Sequence, residues 1–279
     1  MKKMNFIALA LSALSLYAHA RSGGMGNGGD AIVCSDKVML LDSWEAEEKM
    51  KLNLDLNNPN IKKPTWRSMV NVVVDRVSKF DEYTASLLHD YSMEMVDDFE
   101  SFQLNPDTRG QHVYLGKHIL GEINDSDHVS VPEIAGCENK VRQMVSQIKP
   151  RFRFQVRYQF SKSLWDRLTL RDQAMTILHE AWYRIMLENG AENSINARYI
   201  NGLTASKEFE LFTFEDYFSE IRATELKSYV VLNKSEAVKK SRIWLDLKKH
   251  TLSIIDGQVC APSLLSLIHI SEPTRRTPI

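Results

Sequence analysis

The chain has 279 residues, 43% of them hydrophobic and 25% charged, with a formal net charge of −1. That composition belongs to a globular protein able to bury a sizeable core. It excludes the broad basic face that nucleic-acid binding requires, so no nucleic acid is expected as a partner.

Taken in chain order, the first element is an export signal. Met1-Lys2-Lys3 is a basic start, Phe6 to Leu16 an apolar run, and Ala18-His19-Ala20 an Ala-x-Ala exit. Together they predict a signal peptide over residues 1–20. The apolar run is too short to span a bilayer, and no later segment is long enough. The mature chain is therefore expected to lack an integral membrane segment and to be periplasmic or secreted.

Gly23 to Asp30 is Gly-rich but precedes a strand, the wrong order for a phosphate-cradling loop, and reads as a flexible arm or a run of turns. Ala31 to Cys34 and Val38 to Leu41 read as short strands joined by Ser35-Asp36-Lys37. Asp42-Ser43 reads as the cap of a helix whose first turn is acidic through Glu45, Glu47 and Glu48. Leu52 to Lys63 is a loop. From Thr65 to Phe102 apolar residues recur at helical spacing, predicting one or two amphipathic helices with a break near Asp81. Pro106 to Gly110 is a turn, and Val113 to Leu115 and Val129 to Val131 are candidate strands.

Phe152 to Phe160 alternates apolar with polar residues and predicts the clearest strand of the chain. Leu164 to Leu168 and Leu170 to Glu188 read as helices, the second closed by Asn189-Gly190. Ser194 to Leu203 and Phe214 to Leu226 follow as further helices. Tyr229 to Leu232, Ile243 to Leu247 and Leu252 to Val259 read as closing strands, with Asp256-Gly257 as a turn. The mixture predicts an α+β fold, helices packed on a small antiparallel sheet, in one globular domain over residues 21–264. Beyond it, Leu265 to Arg275 resembles the translation of a transposase adapter used in preparing DNA libraries, so residues 265–279 read as an artefactual tail. His269 and Glu272 then belong to no site. Without both ends the net charge is −4.

Three cysteines are present: Cys34, Cys137 and Cys260. Any two of them could pair in an oxidising compartment. The polar, turn-rich settings of Cys34 and Cys137 beside predicted strands favour a disulfide between these two. No Cys-x-x-Cys occurs, and the sequence nominates no cofactor and no metal site.

One segment carries possible chemistry. Within the helix from Leu170 to Glu188, His179-Glu180 resembles the active-site helix of zinc peptidases, in which a second His one turn on completes the metal site. Here that position is Tyr183, so half of the ligand pair is missing. Two accounts remain open. In one, His179 and Tyr183 are hydrogen-bonded core groups and Glu180 pairs with Arg184 four residues on. In the other, His179, Glu180, Tyr183 and Arg184 are the catalytic set of a hydrolase, an unconventional or degenerate metallopeptidase. In that case His112, His118, His128 and Asp172 are the groups to look for nearby.

The segments Leu164-Trp165-Asp166, Asp172-Gln173-Ala174, Leu178 to Arg184, Asn193-Ser194 and Arg198-Tyr199, with the opening Gly26 to Asp30 and Cys34, resemble a family of uncharacterised exported proteins of predatory and related Gram-negative bacteria. The resemblance implies that Tyr183 and Arg184 belong to a His-Glu-x-x-Tyr-Arg pattern and are not decayed zinc ligands. It implies no particular activity. The leading expectation is an exported globular protein with a structural or binding role.

Overall fold

The computed structural model describes residues 25–27, 29–116, 134, 136–152, 154–224, 226, 242–246 and 251–255. The expected signal peptide, Val129 to Val131, Tyr229 to Leu232, Asp256-Gly257, Cys260, His118, His128 and the expected tail lie outside them.

Strand β1 (Met25–Asn27) leads into a hairpin of β2 (Asp30–Cys34) and β3 (Val38–Leu40). The chain then turns through α1 (Leu41–Trp44), which continues as a π-helical stretch over Glu45–Lys49. Two long helices follow, α2 (Trp66–Ser78) and α3 (Glu82–Leu104). Thr65 and Ser68 form a capping box on the first, and the Asp81 carboxylate accepts from Thr84 N at the start of the second. The break expected near Asp81 is thus an N-cap, and the Met-rich stripe on these helices is core: Met69, Met93, Met95 and Phe99 are buried.

Strands β4 (Val113–Gly116), β5 (Cys137–Gln143), β6 (Val145–Ile148) and β7 (Tyr158–Ser161) form the middle of the chain. Helices α4 (Lys162–Trp165), α5 (Leu170–Glu188), α6 (Ile195–Thr204) and α7 (Phe214–Ala223) come next, then the hairpin of β8 (Arg242–Asp246) and β9 (Thr251–Ile255). The fold is α+β. Its strands form three small sheets, ordered β1-β6-β7-β4, β3-β2-β5 and β8-β9. All pairings are antiparallel except β4 with β7.

Helix α5 is the centre of the molecule. Its residues from Ala174 to Tyr183 are all buried, so it is apolar nearly all round, and α2, α3 and α6 pack about it. It ends where expected, with Asn189 as the C-cap and Gly190 at φ +93°, a conformation that costs glycine little. Beside it Phe99 stacks on Trp165 at 4.2 Å between centroids, and Trp66 and Phe160 meet the same pair.

Three expectations need correction. The Gly-rich opening contains an edge strand, because β1 pairs with β6 through Met25↔Ile148. Edge pairing uses backbone groups alone and leaves no hydrophobic period to read. The strand expected over Phe152 to Phe160 is confined to β7. Its neighbours supply partners only from Tyr158 onward, opposite Val113 of β4 and Gln147 of β6. Gln155 N instead donates to Phe152 O, so the chain turns back on itself there. Asp42 and Ser43 do not cap a helix: Leu40 holds that position without a side-chain bond, and both residues are buried inside α1.

The disulfide is Cys34–Cys137, joining residues directly opposite each other on β2 and β5, 103 apart in sequence. It crosses a small second core of Ile32, Leu41 and Val141.

Candidate functional site

His179 sits at the middle of α5, on the side that meets α1 and α6. The β2–β3 hairpin drives Leu40 and Leu41 into the core, and the next residue, Asp42, lands against the imidazole. His179 Nδ1 and Asp42 Oδ2 are 2.8 Å apart, and neither side chain is exposed. From α6, Asn201 Nδ2 donates to the same carboxylate oxygen at 2.7 Å and to Met175 O at 2.9 Å. Gly202 makes that approach feasible, since a Cβ there would stand 2.9 Å from Ala46 Cβ. Ser43, beside Asp42, donates to Asp172 Oδ1 at 2.6 Å.

Glu180 points the other way along the buried surface of the helix. Its Oε1 accepts from Gly29 N at 2.6 Å and its Oε2 from Gln147 Nε2 at 3.0 Å. Gln147 Nε2 also donates to Glu180 O. One carboxylate therefore ties α5 to the β1–β2 connection and to β6. Next to it Arg198 of α6, 4% exposed, donates to Glu45 Oε2 at 3.1 Å and to Ser194 Oγ at 3.3 Å, with Asp30 Oδ2 at 3.8 Å.

Tyr183 is fully buried, its ring centroid 6.2 Å from that of His179. Arg184 faces away from both. Its guanidinium lies 3.5 Å over the Tyr91 ring, donates to Glu94 Oε2 at 2.6 Å and pairs with Glu188. The Glu180–Arg184 pair expected from spacing is absent, because burial turns Glu180 inward and Arg184 finds carboxylates on α3 and at the end of α5. His112 belongs with Arg184, its Nδ1 3.4 Å from Glu94 Oε2, and Asp172 is bonded to Ser43. The four candidate residues thus divide into an interior group and a half-buried ion-pair group. Among the described residues no three His, Cys, Asp or Glu side chains are arranged to hold a metal ion.

The electrostatics follow from burial and pairing. For Asp42, burial opposes the charge, but the His179 charge and the hydrogen bonds from His179 and Asn201 prevail and hold its carboxyl below the ordinary range. For His179, burial likewise opposes ionisation, yet the Asp42 charge and hydrogen bond hold its imidazole above the ordinary value. Each group thus favours the charged form of the other. For Glu180, burial wins over the His179 charge and the Gly29 and Gln147 bonds, and its carboxyl is raised.

These shifts fix the sign of a pH dependence. The contribution of His179 is complete below its unfolded value of about 6.5 and is lost as pH rises through the raised folded value. That of Asp42 is complete above about 3.9 and is lost as pH falls through the lowered one. Glu180 withdraws stability as pH climbs past about 4.3. Thermal melts between pH 3 and pH 9 are expected to peak in the mildly acidic range and decline on the alkaline side. In His179→Gln the decline above pH 6.5 should flatten, and an unaltered slope would contradict the assignment.

Asn201, Gln147, Gly29 and Arg198 were not recognisable individually, and Asp42 reads as a cap. Adjacent residues near the start of the chain meet the later helices here, Gly29 on Glu180 and Asp30 beside Arg198. Compared with protein-family models, curated proteins and solved structures, the chain matches none.

Proposed function

We propose that this chain is an exported globular protein of the cell envelope or the extracellular space, that its role is structural or binding, and that its His-Glu helix is an internal brace. The observation that carries this reading is the complete burial of His179 and Glu180, each spent on a different segment of the fold. The imidazole and carboxylate of a hydrolase must meet substrate and water, and these two meet Asp42, Gly29 and Gln147. Export is supported by the leader pattern at the N-terminus and by the Cys34–Cys137 bond, which persists in oxidising compartments. No helix among the described residues is long and apolar enough to cross a membrane. The His-Glu-x-x-Tyr-Arg pattern fits the same account: Tyr183 fills the core, and Arg184 clamps α5 to α3 through Glu94.

The test is metal content and stability measured together on purified mature protein. His179→Ala should lower the unfolding free energy by about 3–5 kcal/mol, the range for removing one partner of a buried ion pair, and Glu180→Ala by about 1–3 kcal/mol, the usual cost of stranding buried hydrogen-bonding partners. Bound zinc should be far below one equivalent in wild type and variants alike. One equivalent of metal that His179→Ala removes would overturn the brace in favour of a metallopeptidase.

A further inference from the structure

The segment that fails to continue β7 leaves two large apolar side chains outside. Phe152 is 62% exposed and Phe154 74%, and their rings stack in parallel at 5.7 Å between centroids. The turn that presents them is held from within. Gln155 N donates to Phe152 O, Gln155 Oε1 accepts from Arg151 N at 2.9 Å, and Arg109 Nη2 reaches Phe154 O at 3.4 Å. Tyr114, 58% exposed, stands on the same side. Between the turn and α3 runs a groove of about 850 Å³ whose apolar lining includes Phe102, Val113, Leu115 and Val156, with Arg109 and Lys162 at its margin and no carboxylate in its lining.

Exposed cations gather on this face, with Asp107 the exposed acid in the loop that carries Arg109. Lys149, Arg151 and Arg109 are exposed around the two phenylalanines, and none of them has an ion-pair partner among the described residues. Lys162 is paired, with Asp166 at 2.6 Å.

We propose that this aromatic turn with its cationic rim docks on an anionic lipid surface, the phenylalanines entering the headgroup–acyl boundary while Lys149, Arg151 and Arg109 meet lipid phosphates. Charge complementarity selects this occupant. Exposed aromatics ringed by Lys and Arg are the chemistry of interfacial anchoring, in which apolar burial and attraction to anionic headgroups act together. The proposal rests on the reading of the protein as exported, takes the binding role of the two, and adds the partner's chemistry to it.

The experiment is co-sedimentation of the disulfide-bonded protein with vesicles of phosphatidylglycerol and phosphatidylethanolamine, against vesicles of phosphatidylcholine alone. Binding to the anionic vesicles is expected, at least tenfold weaker on the neutral ones, and falling as salt rises from 50 to 500 mM, since added ions screen exposed charges. Phe152→Ser/Phe154→Ser and, separately, Lys149→Glu/Arg151→Glu should each weaken it about tenfold without lowering the melting temperature. Three results would overturn the proposal: no sedimentation with anionic vesicles at 50 mM salt, binding by both double variants as strong as that of the unaltered protein, or a concentration-dependent dimer abolished by Phe152→Ser/Phe154→Ser in the absence of lipid. Metal content and the stability of the His179 variants are read independently of lipid, so the docking surface can fail while the brace stands, and the reverse.

Discussion

Asp42→Ala is expected to lower the unfolding free energy by about 3–5 kcal/mol, the range for removing one partner of a buried ion pair. The loss has two components. The fully buried His179 would lose the carboxylate that holds its proton and, with it, the attraction and hydrogen bond of the pair. Asn201 would lose the acceptor of one of its two amide hydrogen bonds and keep only Met175 O. His179 Nε2 and Asn201 Oδ1 have no partner among the described residues, so the cluster is already incompletely paired before the carboxylate is removed. Urea melts at pH 6 provide the measurement. Asp42→Asn should fall between wild type and Asp42→Ala, because it keeps an acceptor and loses the charge. The double variant Asp42→Ala/His179→Ala should cost less than the sum of the single changes, the excess being the coupling of the pair. A loss under 1 kcal/mol for Asp42→Ala would remove the ion pair from the account of this fold.

Opening the Cys34–Cys137 bond is expected to cost about 4–5 kcal/mol in the chain-entropy treatment, since the closed loop is about a hundred residues long. For a domain of this size that is a fall of roughly 10–15 °C in melting temperature. The local packing explains why the bond carries so much. The second core that holds β5 against β2 consists of Ile32, Cys34, Leu41 and Val141, too few apolar side chains to fix a strand unaided. Denaturant melts of a Cys260→Ser protein, with and without reductant, isolate the effect by removing the thiol that could exchange into the bridge. An unchanged midpoint at equal slope would show that β2 and β5 stay paired without the covalent link.

The two predictions also separate what was legible from what was not. Helix α5 was readable with its ends, because a long apolar run closed by Asn189-Gly190 is a local signal. The break at Asp81 was readable for the same reason, since a side chain three residues from the amide it binds leaves its mark in the sequence. Asp42 carried a mark of that kind too, a short acid ahead of an acidic turn, and it misled. Its partner is 137 residues away, and spacing records nothing at that range. The run from Phe152 to Phe160 failed in the complementary way. Alternation specifies which side chains would share a face if a strand formed, but a strand needs a neighbour at the right height, and β4 and β6 provide one only from Tyr158.

The amino-acid order alone therefore determined the α+β class, most helix limits, and the pairing of Cys34 with Cys137 as the favoured choice among three. It also brought His179 and Glu180 forward as the residues to examine. Only the tertiary structure decided that these two are interior, that they serve different segments, and that the aromatics of the failed strand are the ones left facing solvent. The reason is physical: hydrogen bonds along a helix and hydrophobic period act between near neighbours, whereas burial depends on which distant surfaces the whole chain brings together.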